Sequence, residues 1–182
     1  MPEKDSKGRR KRREYLEDFH QDLNGEYIYE GEHFRYADEG LPYRQFRRRL
    51  GGLCAALLLS EILAGCVPSA GMDGRFYVVL PYAMGFVSAI SVCWGMARLL
   101  RGGERLRAYE YEATVKALPR RTLLTLIFSA VCTAGELSCL TGGGAEKGFA
   151  GSAAFLAVNI LALLSSLQLR RLLRRSRWER EK

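Results

Sequence analysis

Two carboxylates, Glu61 and Glu136, are embedded in long runs of apolar residues. Placing such a group in lipid costs on the order of 2.5–3.5 kcal/mol, and it normally faces protein or water. No Lys or Arg lies within the same runs to pair with them, so the two are expected to be neutral or reached by water. The chemistry they suggest is reversible binding of a proton or cation. The competing reading is structural: a hydrogen bond from helix to helix, or Glu136 reaching an interface.

Five cysteines form the second reactive group: Cys54, Cys66, Cys93, Cys132 and Cys139. None makes a CxxC pair, and both histidines, His20 and His33, lie outside the apolar runs, so the spacing of a zinc site is missing. Cys66 and Cys139 end two of the runs on the same side, which makes them the candidates for a disulfide in an oxidising compartment. No attacking and resolving thiols stand together, and no cofactor motif is present. The expectation is a non-enzymatic chain that holds neither cofactor nor metal.

The elements that must position these residues follow from run length. A helix crossing a hydrocarbon core of about 30 Å needs about 20 apolar residues. Four runs qualify: Leu50 to Val67, Phe76 to Leu100, Thr122 to Leu140 and Phe149 to Leu169. The mean hydropathy of −0.12 resembles that of a soluble protein only because charged segments alternate with these runs. Backbone groups find no hydrogen bonds in lipid, so each span must be helical. Pro81 falls in the first turns of its run, where few bonds are lost. Counted from the basic ends at about 1.5 Å per residue, both glutamates fall in the outer half of a bilayer, Glu136 nearer its surface.

Charge sets the orientation. The chain of 182 residues has 28 Lys and Arg and a net charge of +8. Of these residues, only Arg75 and Lys147 lie in the two connections that follow the first and third runs. The other basic residues flank the opposite ends, which predicts both termini in the cytoplasm of a plasma-membrane protein. Such loops sit against an anionic leaflet. The tract 7–13 is nearly all basic but has no interleaved aromatics, so it points to lipid headgroups rather than nucleic acid.

A shift of 73 residues superposes the halves: Arg47-Arg48 on Arg120-Arg121, Cys66 on Cys139, Phe76 on Phe149, and Arg98 to Arg101 on Arg171 to Arg174. The halves read as two parallel copies of a helical hairpin. Small residues recur every four positions at Gly85, Ala89, Cys93 and Ala97. They recur likewise at Ala150, Ala154, Ala162 and Ser166, marking close helix seams within the bundle or a homodimer face.

The expected organisation is an all-α membrane protein. Residues 1–45 form a cytoplasmic region, 46–173 a bundle of four transmembrane helices, and 174–182 a basic tail. Tyr15, Phe19 and Leu23 suggest a short amphipathic helix. Residues 26–36 then read as a β-hairpin turning at Gly31-Glu32, with Tyr29 across from Phe34 and Tyr27 across from Tyr36. Residues 104–118 read as an interfacial helix presenting Leu106 and Tyr109 and closed by Pro119. With Tyr27, Tyr29, Phe34 and Tyr36, these form the surface expected to meet a partner. The leading expectation is therefore an accessory or scaffold subunit of a membrane complex. The alternative is a small proton-coupled transporter working as a dimer through Glu61 and Glu136.

Overall fold

A computed structural model describes residues 19–21, 27–29, 31–142 and 149–181. Its main body is a bundle of four long helices: α1 (Tyr43–Cys66), α2 (Phe76–Gly102), α4 (Leu118–Thr141) and α5 (Phe149–Arg175). All four are long and apolar enough to cross a membrane. Helix α1 packs on α2 and α5, and α4 packs on the same two, so neighbours run antiparallel around a ring. Pro81 lies within α2, as its position near the start allows.

Helix α1 begins before the apolar run because Phe46 and Leu50, one turn apart, are both buried while Arg44, Arg47, Arg48 and Arg49 face outward. Between α2 and α4 the chain forms strand β4 (Arg105–Arg107), one helical turn, α3 (Ala108–Tyr111), and a π-helical turn (Glu112–Lys116). The expected helix over 104–118 is thus corrected at both ends. It starts as a strand, and Pro119 stands in the first turn of α4, where its missing N–H is not needed.

The small sheets differ most from expectation. Strand β1 (Phe19–Gln21) pairs antiparallel with β2 (Tyr27–Tyr29), so a strand replaces the expected helix at Phe19; Tyr15 and Leu23 lie outside the described residues. Strand β3 (His33–Tyr36) does not fold back on β2. It is the centre of a three-stranded sheet, flanked by β4 and by β5 (Trp178–Glu181). Phe34 lies opposite both Leu106 and Arg180. An isolated two-stranded ribbon is marginal in water, and β3 gains two partners here in place of one.

The sheet closes one end of the bundle. Tyr36 packs on Phe46, Tyr43 and Trp178, and Phe34 stacks on Tyr111 with ring centroids 4.1 Å apart. Leu106 is fully buried, in a core shared with Met96, Leu99, Leu118, Leu169 and Leu173. A second, smaller core of Ala64, Val78, Cys132 and Phe155 fills the far half.

Candidate functional site

Helix α4 is built inside out. Its buried face after Leu118 consists of Thr122, Thr125, Ser129, Cys132, Glu136 and Cys139. Its large apolar side chains, Leu124, Ile127, Val131 and Leu137, are exposed. The spacing of three and four residues puts the polar set on one helical stripe, and that stripe lines the bundle interior.

Glu61 projects from α1 into this interior and is only 2 % exposed. The Ser129 hydroxyl of α4 donates to its carboxylate at 3.2 Å, across the bundle. Gly85 of α2 lies beside it, its Cα hydrogen pointing to a place where a Cβ would stand 3.9 Å from the carboxylate, an ordinary contact distance. Tyr82 of α2 donates its hydroxyl to the Glu61 carbonyl at 2.8 Å, fixing the turn that carries it. On the next turn of α4, Thr133 donates to Asn159 of α5 at 3.3 Å. The Asn159 amide in turn meets the Cys132 sulfur at 3.5 Å. Toward the sheet, Ser88 and Thr125 share a 2.8 Å hydrogen bond, and Arg121 donates to the Ser91 carbonyl at 3.3 Å.

Glu136 is completely buried at the far end. The connection 67–75 folds down over it. Ser69 donates to one carboxylate oxygen at 3.3 Å and accepts from the Met72 amide at 3.2 Å, while the Ala70 amide donates to Ser152 of α5. Among the described residues, the other oxygen, Oε1, has no hydrogen-bond partner. Gly71 is required by this approach, since a Cβ there would strike the Glu136 carboxylate. Beside this cap lies a cleft of about 830 Å³ lined by Cys66, Ser69, Asp73, Arg75 and Cys139.

The two glutamates therefore share one interior but not one site. Ser129 and Glu136 are seven residues apart on α4, about 10 Å along the axis. Cys66 and Cys139 line the same cleft as free thiols, Cys66 exposed and Cys139 buried. A closer pair was not expected from the sequence: the Cys54 and Cys93 sulfurs, on α1 and α2, are 3.1 Å apart. The small-residue stripe of α2 holds at Gly85 and Ala89, which are buried. That of α5 holds only at Ala162 and Ser166; Ala150 and Ala154 face outward.

The aromatic surface expected to meet a partner is largely turned inward. Phe34, Tyr36 and Leu106 pack within the molecule, and Tyr109 lies under Arg98, 6.0 Å from ring centroid to guanidinium. Tyr27 and Tyr29 belong to the separate β1–β2 ribbon. Among the described residues, no group of His, Cys, Asp and Glu is arranged to hold a metal ion. The serines and threonines of α4 are unremarkable alone; their three-and-four spacing is the signal in the sequence, and Asn159 of α5 has no such signal. Compared with known proteins, the chain matches no family model, no curated protein and no solved structure.

Proposed function

We propose that this chain is a multi-pass protein of the plasma membrane, with both termini cytoplasmic. In this reading its polar interior binds and passes protons, as in a small non-enzymatic, proton-coupled transporter that works as a dimer. The observation that carries it is the inversion along α4: polar groups inward, apolar groups outward, with a carboxyl at mid-depth and another beneath the outer cap. Hydrocarbon is the solvent that favours such an arrangement, and a buried carboxyl in it is by default a functional group. Glu61 is the proton acceptor, held by Ser129. Glu136, with one oxygen free, is the exit or entry group next to the outer cleft. A dimer supplies the remaining wall, because four helices enclose little space.

The test is proton uptake into vesicles holding the purified protein under an imposed potassium-diffusion potential. Wild-type vesicles are expected to acidify, and Glu61→Gln to behave like empty ones. Equal uptake by both would remove the proposal.

An accessory or scaffold role is the second reading. It is favoured by the sheet, which ties three cytoplasmic segments into one platform whose outer strands, β4 and β5, each leave an edge for pairing with another chain. Homogeneous purification without any partner, in several mild detergents, would count against it.

A further inference from the structure

Three clefts at the sheet end contain arginines, and they differ in one respect. Those near Arg35 and Arg105 and near Arg175 and Arg177 also contain carboxylates: Glu104 and Glu181 in the first, Asp38, Glu39 and Glu179 in the second. The third, about 570 Å³ between α1 and α5, has Arg49, Arg171 and Arg175 on its lining and no carboxylate. Among the described residues, none of the three arginines has an ion pair.

The arginines and Leu172 stand at the sheet end of this cleft, and Gly52, Leu53 and Gln168 lie about one turn deeper. Helix α1 runs away from the sheet, so Gly52 and Leu53 lie one turn deeper than Arg49. Helix α5 runs toward it, and Arg171 and Arg175, four residues apart, share one face. The wall is Leu53 and Leu172, both packed on the main core. Space stands open over Gly52, where a Cβ would meet nothing within 4 Å.

We infer that this cleft is a binding site for an anionic phospholipid, its phosphate held among Arg49, Arg171 and Arg175 and the start of an acyl chain lying over Gly52 between the two leucines. Guanidinium groups suit phosphate because their planar forks match its oxygens. A free phosphate would use the arginines but not the apolar slot, whereas a lipid uses both. The site rests on the reading of α1 and α5 as membrane spans with their basic ends in the cytoplasm. The cleft then opens at the depth where headgroups lie, and basic pockets there select anionic lipids.

The experiment uses the full chain in a neutral detergent, with bound lipid measured by native mass spectrometry as phosphatidylglycerol, phosphatidylcholine or sodium phosphate is added. Phosphatidylglycerol is expected to bind in preference to phosphatidylcholine, and each Arg→Gln change at 171 or 175 to weaken it about fivefold. Gly52→Leu, which leaves the charge unchanged, is expected to abolish the preference by filling the slot, while Arg177→Gln is neutral. Equal binding of the two lipids, or phosphate binding that Gly52→Leu leaves intact, would overturn the site. Sedimentation of the wild-type chain with alkali-washed membranes is scored separately, so a failure of the membrane reading is distinguishable from a failure of the lipid site.

Discussion

Glu61 and Glu136 share an interior but solve the burial of a carboxyl in different ways. Glu61 reaches across the bundle to Ser129 and stands beside Gly85. Glu136 is roofed by a connection whose serine both caps a turn and donates to it. Among the described residues, nothing donates to Oε1 of Glu136. At the sheet end, Tyr36 offers a titration outside the bundle. Its hydroxyl donates to the Leu41 carbonyl at 3.0 Å. Burial, reinforced by the Asp38 carboxylate, pushes its pKa from 10 up to about 12. A group whose folded pKa is raised stabilises the fold below its unfolded value and loses that contribution as pH rises through the folded one. The Tyr36 contribution is therefore complete below pH 10 and lost between pH 10 and about 12. Wild type should exceed Tyr36→Phe in unfolding temperature at pH 9, with the gap closing as pH approaches 12; a gap that stays constant would contradict this.

At the scale of elements, the bundle sets small and polar contacts, such as Gly85, Ala89 and Ser129, among large buried apolar ones such as Leu57, Met96 and Phe155. In a hydrocarbon solvent, close approach and hydrogen bonds would add to what such apolar packing supplies. The α1–α2 seam brings two thiols within 3.1 Å, and a disulfide requires them to approach by only about 1 Å more. Treatment of membranes with copper–phenanthroline, which supplies the oxidant, should link the peptides carrying Cys54 and Cys93. The link should vanish in Cys93→Ser. Cross-linking confined to Cys66 and Cys139 would mean that α1 and α2 meet in another register. The sheet follows a different rule. Strand β3 exposes Arg35 and turns Phe34 and Tyr36 onto the bundle, the alternation of a strand with one face covered.

Considered whole, the molecule has an internal correspondence. Shifting α2 by 73 residues lands on both ends of α5, and shifting β4 lands on the first three residues of β5. The two equivalent strands flank β3 on either side. We take this as support for an ancestral duplication in which each hairpin ends in a strand and the N-terminal segment, which has no counterpart, fills the gap between them. Membrane insertion is the property that the proton and lipid proposals share. The chain should stay with the membrane pellet after alkaline washing, and a reporter fused after Lys182 should remain inside the cell. Recovery in the supernatant, or a reporter outside, would remove both proposals together.

Sequence by itself determined the four helices and the two buried carboxylates. Twenty consecutive apolar residues leave the backbone one way to satisfy its own hydrogen bonds, and a charge inside them is conspicuous. It also offered Gly85 and Ala89 as part of a stripe for either a bundle seam or a homodimer face, and the fold buries both. Tertiary structure alone decided the rest. The strand at 33–36 was legible, but not its partners, because pairing across about 70 and about 145 residues leaves no trace in local spacing. The inward turn of Phe34, Tyr36 and Leu106 depended on those partners. So did the meeting of Glu61 with Ser129 and of Ser69 with Glu136: a polar side chain in an apolar run declares that it needs a partner, and only the packing of distant helices says which.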